Sequence, residues 1–250
     1  MRVDAASGFA HPAIAAGLPV LTKLVRSSGI AALAVRNSYN CLALGHHVRP
    51  LADSGLIGIC MSNAPASVSP PGAIRRLFGT NPFAFAVPTA SGGAIVVDQS
   101  MSAVTKTAVI MRSQKGEPIP EGWAQDRAGN PTTDAATGLD GSLLPAGGQK
   151  GANIALLVEI LAAALTGSHL STQASSLGDN DGGPPWIGQF LIAINPQYFA
   201  GNAFAPAMEA LVKEFDAAGV RMPGRQRDLV TPVKLDADLW REACKLSGES

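Results

Sequence analysis

The sequence predicts an α+β fold, on three observations. Short apolar runs of strand length outnumber segments with helical periodicity, the two kinds do not alternate regularly, and no G-x-G-x-x-G follows any strand. Regular alternation would imply repeated β-α-β units, and the missing glycine pattern removes the usual signature of a Rossmann dinucleotide site.

The apolar runs "IAALAV" (30–35), "LIGICM" (56–61), "FAFAV" (83–87), "AIVV" (94–97) and "FLIAI" (190–194) have strand length and punctuated ends. They read as buried strands. The strongest helix lies in "LLPAGGQKGANIALLVEILAAAL" (143–165), where Ile154, Leu157, Val158, Leu161 and Leu165 recur at spacings of three and four. That stripe is expected to face the core, with Glu159 off it and Gly167 ending the helix. A second helix is expected over about 205–218, with Met208, Leu211, Val212 and Phe215 on one stripe and Gly219 as its stop. Long polar loops over 112–150 and 171–188 are of the kind that binds a ligand or crosses a subunit boundary.

A chain of 250 residues, 46% hydrophobic, buries a substantial core as one large domain or two closely joined ones. Its 19 basic and 19 acidic residues cancel, so no long-range field draws it to nucleic acid or an anionic membrane, and a small-molecule partner is expected. Three cysteines without a C-x-x-C pair suit a reducing compartment, which makes the cytoplasm the default. No apolar stretch reaches the roughly 20 residues a membrane helix needs, and "MRVDAASGFAHPAIAAG" lacks the order of a signal peptide.

Several stretches carry chemistry. The turn Gly147-Gly148 before Lys150 puts bare backbone N–H groups, a helix N-terminus and a full positive charge at one point, which suits a pyrophosphate. A nucleoside-triphosphate P-loop is excluded, because Gly151 stands where the Ser or Thr would be. A tight turn with a solvated lysine reads the same residues equally well. "LFGTNPFAFAVP" (77–88) places Thr80 and Asn81 in a strand-entry turn, and "VVDQSMS" (96–102) gathers Asp98, Gln99, Ser100 and Ser102 at a strand end, where ligands often sit. The adjacent His46 and His47 point about 100° apart on a helix and make no metal-binding pair, so no metal is expected.

In order along the chain, "NSYNCLALGHHV", "FGTNPFAFAVP", "VVDQS", "KGEPIPEGWAQDRAGNPTTD", "LLPAGGQKG" and "MPGRQR" resemble the malate/L-lactate dehydrogenase family of NAD(P)-dependent oxidoreductases, in its Δ1-pyrroline-2-carboxylate reductase-like branch. The likeness runs from about residue 3 to about 228. It implies a non-Rossmann fold with a largely antiparallel mixed sheet flanked by helices, and a homodimer with active sites between domains. It implies NAD or NADP as cofactor, with Asp98, Gln99 and Ser100 at the nicotinamide end and Lys150, Thr80, Asn81 and the Pro223-Gly224 turn among its contacts. The implied reaction passes a hydride to a cyclic imino acid or a 2-oxo acid.

The chain also departs from the family pattern. Residues 1–250 are expected to be the NAD(P)-binding and catalytic region without the N-terminal segment whose Ser-His-Gly signature carries a proposed proton donor. Asn40 stands where other branches have a second histidine, Ala108 where relatives carry Glu, Asp or Lys, and Leu42 and Asn153 where they carry glycine. Asp126 and His47 remain as candidate catalytic groups. Without the family acid the sequence reads alternatively as a weakly active or inactive dinucleotide-binding relative, since losing a general acid costs about 10²–10⁴-fold.

Overall fold

A computed structural model describes residues 1–90, 92–178, 181–224 and 235–248. Its main sheet has six strands in the order β1-β2-β9-β3-β4-β5. These are β1 (Arg2–Asp4), β2 (Ile30–Ser38), β3 (Ile57–Ser62), β4 (Phe83–Pro88), β5 (Ala94–Gln99) and β9 (Ile187–Ile194). Only β1 and β2 run parallel, and the other neighbours are antiparallel. All five runs predicted as strands are therefore strands, in a largely antiparallel sheet.

Alternation along the strands builds a layer on each face. On one face Leu33, Val35, Cys60, Ala84, Ala86, Leu191 and Ala193 pack against α1 (Ala10–Ser28) and α2 (Leu44–Asp53), which contribute Ile14, Leu21, Val25, Leu44, Val48 and Leu51. Each of the larger side chains buried there contributes about 1.5–3 kcal/mol. Helix α1 lies close because Gly17 has no side chain, and a Cβ there would stand 2.6 Å from Leu33. The opposite face presents Ile59, Met61, Phe83, Phe190 and Ile192 to Val158 and Ala162 of the long helix.

That helix begins as α5 (Gln149–Val158) and continues as a π-helical segment, Glu159–Ala164. The buried face differs from the predicted one. Ile154, Leu157 and Leu165 are 42%, 44% and 59% exposed, whereas Gly151, Ala152, Ala155, Val158, Ala162 and Ala163 are buried, and Glu159 with them at 7%. Small residues let the helix approach the sheet closely, and an all-round apolar helix has no periodicity to say which side goes inward.

A second core joins α3 (Lys106–Lys115), α4 (Ala135–Asp140) and a small sheet of β6 (Ala124–Gln125), β7 (Pro131–Thr132) and β8 (Ser142–Leu143) through Val109, Ile119, Ala124, Ala135 and Leu143. Much of the predicted 112–150 loop is therefore short ordered elements. The second predicted helix is α6 (Phe204–Ala217), none of whose residues is buried, and α7 (Ala237–Ser247) follows. Arg225, Gln226 and Arg227 of the "MPGRQR" motif lie outside the described residues.

Candidate active site

The C-terminal end of β5 meets the start of two helices. Helix α2 has no side-chain cap of its own, and Asp98 Oδ2 accepts the Gly45 N–H at 2.8 Å in its place. A carboxylate is favoured at that position because the helix N-terminus carries partial positive charge. Gln99 is exposed, and Ser100 Oγ lies 3.1 Å from Ser102 Oγ, which donates to the Val104 carbonyl at 2.6 Å.

Met101 fastens the neighbouring segments together. Its N–H donates to Thr80 O and its carbonyl accepts from Ala146 N, both at 2.8 Å. The Thr80 turn, the Asp98–Ser100 strand end and the glycine turn before α5 are thereby held side by side, a juxtaposition of segments far apart in sequence. At the glycine turn, Gly147 and Gly148 have φ of 64° and 63°, a left-handed conformation that suits glycine. Gly148 is the N-cap residue and brings no capping side chain, and Lys150 is exposed in the first turn.

Asn81 takes a different place from its neighbour. It is fully buried with φ of 38°, and its amide donates to Ala155 O at 3.0 Å and to Glu159 Oε2 at 2.8 Å. Glu159 also accepts from Ser171 N and Ser171 Oγ, each at 2.6 Å. Asn81 therefore ties the turn that carries Thr80 to α5 and its π continuation. A cavity of about 380 Å³ opens beside this region, lined by Asn40, Ala64, Ser67, Thr80, Thr105 and Leu177 among others. Ser67 and Thr105 escaped the sequence reading. Thr105 is legible afterwards as the α3 N-cap, accepting from Ala108 N at 3.2 Å.

The two candidate catalytic groups, Asp126 and His47, have their hydrogen bonds away from this strand end. Asp126 folds back on its own hairpin turn, accepting from Ala128 N and Asn130 N at 2.8 Å and from the Asn130 amide at 3.1 Å. Those bonds, the Asn130 backbone first, hold its carboxyl below the ordinary range, so at neutral pH it has no proton to give. His47 is buried against α1, with Nε2 3.0 Å from Cys41 O, and lines a separate cavity with His11, Ile14, Leu18, His46 and Pro50. Its ring stands 4.8 Å from that of His11 and 5.2 Å from that of His46. Among the described residues no group of three or more His, Cys, Asp or Glu is arranged to hold a metal ion.

Burial pushes the His47 imidazole below its usual value, opposed by the Cys41 carbonyl, helped by His11 and His46, and opposed again by Asp98. The unfolded chain therefore takes up this proton first, near the ordinary histidine value of about 6.5. Stability is present above that pH and is lost on acidification toward the folded-state value. We expect Tm to fall between pH 7 and pH 5, and to fall less in His47→Phe, which keeps a ring but cannot titrate. Parallel pH profiles for the two proteins would refute this role.

The family profile for malate/L-lactate dehydrogenase matches residues 1–233. The chain belongs to that family. It is 43% identical over 228 residues to the (2R)-3-sulfolactate dehydrogenase (NADP(+)) of Chromohalobacter salexigens, covering 91% of this chain and 68% of that one. It is 44% identical over 229 residues to the Δ1-pyrroline-2-carboxylate/Δ1-piperideine-2-carboxylate reductase of Pseudomonas putida, covering 91% and 67%. The crystal structure of Δ1-piperideine-2-carboxylate reductase from Pseudomonas syringae pv. tomato superposes with a TM-score of 0.89 at 41% identity, over 96% of this chain and 75% of that one. These malate/L-lactate dehydrogenase relatives are oxidoreductases, and membership makes this chain one. It also accounts for a dinucleotide fold without a Rossmann glycine pattern.

Proposed function

We propose that the chain reduces a cyclic imino acid of the Δ1-pyrroline-2-carboxylate type, or a 2-oxo acid, at the expense of NADH or NADPH. The observation that carries this reading is the joining of the uncapped glycine turn and Lys150 to the Asp98–Ser100 strand end through Met101. The residues present suit a dinucleotide. Backbone N–H groups at the α5 start and the Lys150 ammonium hold the pyrophosphate, since both favour negative charge. Asp98, Gln99 and Ser100 face the nicotinamide end, Thr80 lies beside it with Asn81 fixing its turn, and Pro223-Gly224 packs further along β5, where Pro223 O accepts from Val96 N at 3.4 Å. When bound, the dinucleotide supplies the hydride.

The adjoining cavity suits a small carboxylic acid. Asn40, Ser67, Thr80 and Thr105 place polar groups around it, while Ala64, Ile110 and Leu177 supply apolar wall. The names of the sulfolactate dehydrogenase and the pyrroline-2-carboxylate reductases support the 2-oxo/2-hydroxy acid and imino acid alternatives respectively. A homodimer goes with the exposed apolar row of Ile154, Leu157, Ile160 and Leu165 on the long helix, a patch that a second copy would cover. No helix among the described residues is long and apolar enough to cross a membrane. The three free cysteines, two of them buried, fit a cytoplasmic enzyme.

The test is direct. Purified protein with Δ1-pyrroline-2-carboxylate, or with a panel of 2-oxo acids, should consume reduced nicotinamide in proportion to protein concentration. Binding of NADH or NADPH without any turnover would replace this reading with that of a dinucleotide-binding relative.

A further inference from the structure

The cavity beside Thr80 is bounded by segments from distant parts of the chain, and its two sides differ in chemistry. Asn40, Ser67, Thr80 and Thr105 bring polar groups to it, whereas Ala64, Pro65, Ile110 and Leu177 bring only hydrocarbon. Lys106 is the one charged residue among the described residues that line it. Lys106 and Ile110 lie one turn apart on α3, so the same helix face carries that charge and part of the apolar wall. Leu177 comes from the loop after Ser171. The Ser171 carbonyl accepts from Ala66 N at 2.9 Å, and its N–H and hydroxyl are held by the buried Glu159. Farther along, Gly178 N donates to Ser176 Oγ at 3.0 Å, and Ser175 Oγ donates to Gly183 O at 2.6 Å. The Glu159 network thus anchors the segment that presents Leu177 to the cavity.

Resting on the reductase reading, with the substrate in this cavity, we infer that Ile110 and Leu177 form a wall that selects a cyclic imino acid and rejects 2-oxo acids bearing a second acid group. Two effects act in the same direction. The ring methylenes of an imino acid leave water against Ile110 and Leu177, and that burial favours binding. A second carboxylate or sulfonate set against the same wall would lose hydration and gain neither a donor nor a cation there. The lining carries a single positive charge, which matches a substrate with a single carboxylate. Discrimination therefore comes as much from what the wall lacks as from what it contacts.

Steady-state kinetics of the wild type, Leu177→Ala and Leu177→Arg with Δ1-pyrroline-2-carboxylate, oxaloacetate and 3-sulfopyruvate test this. The wild type should show a kcat/KM for the imino acid about tenfold or more above that for either dianion. Leu177→Ala, which removes hydrocarbon from the wall, should raise KM for the imino acid by roughly tenfold with little change in kcat. Leu177→Arg supplies a second cation and should raise kcat/KM for both dianions by about tenfold or more while lowering it for the imino acid. Leu177 is 36% exposed, so the melting temperature of each variant should stay close to that of the wild type and shows that the protein is folded. A wild type that prefers a dianion, or variants that change all three substrates by the same factor, would overturn the assignment of this wall while leaving the reductase reading in place. A wild type that turns over none of the substrates would overturn the reductase reading and this inference together.

Discussion

Lys150→Ala should weaken NADH and NADPH alike, by roughly tenfold to over a hundredfold. Lys150 occupies the first turn of α5, beyond a Gly148 N-cap that offers the helix no side-chain acceptor. In the proposed dinucleotide site the N–H groups of that turn and the ammonium address one anion, the pyrophosphate common to both nucleotides. The loss is therefore independent of the 2′-phosphate. The exposure of Lys150 means that the fold should barely notice the change, and the melting temperature is expected to hold. Titration by nicotinamide fluorescence reads the effect without any need for turnover. Affinities within twofold of wild type would mean that Lys150 is only a solvated first-turn residue.

Glu159→Ala is expected to cost about 3 kcal/mol or more of folding stability. The carboxylate is 7% exposed and is the shared acceptor for the Asn81 amide, the Ser171 N–H and the Ser171 hydroxyl. Removing it strands buried donors, each at a cost of about 1–3 kcal/mol where no water replaces the acceptor. For a chain of this size that corresponds to a Tm lower by roughly 6 °C or more. Glu159→Gln keeps one acceptor oxygen and should lose less. Thermal melting of the three proteins decides it: if Glu159→Ala melts with the wild type, water has taken the place of the carboxylate and the network does not hold the Asn81 turn.

The strands were legible because their signal is local. Five short apolar runs with punctuated ends became β2, β3, β4, β5 and β9 within a few residues. The start of α5 was legible for the same reason, since glycines directly ahead of an apolar helical stretch mark a helix N-terminus locally. Helix α1 was missed although it is 19 residues long, because Pro12, Pro19 and Gly17 disguise it. Pro12 falls in the first turn, where an N–H is not needed. Gly17 is tolerated because close packing on Leu33 repays its flexibility. The surroundings of Asp126 were not legible, because its hydrogen bonds to Ala128 and Asn130 depend on how its own turn folds back.

By itself the sequence determined the strand set, the non-Rossmann character, the family and the glycine turn with Lys150, all of which reside in short stretches or in the order of motifs. Only the tertiary structure decided which face of the long helix is buried, because Ile154 and Leu157 are as apolar as Val158 and local periodicity carries no information about the partner surface. It alone decided that Glu159 goes inside, since a carboxylate can be buried only where donors wait for it, and these come from Asn81, 78 residues away, and Ser171, 12 residues away. It alone laid α2 along β5, so that Asp98 accepts from the Gly45 N–H 53 residues away. That relation depends on how one helix lies along one strand, and such long-range packing is set by the whole core rather than by any neighbouring residue.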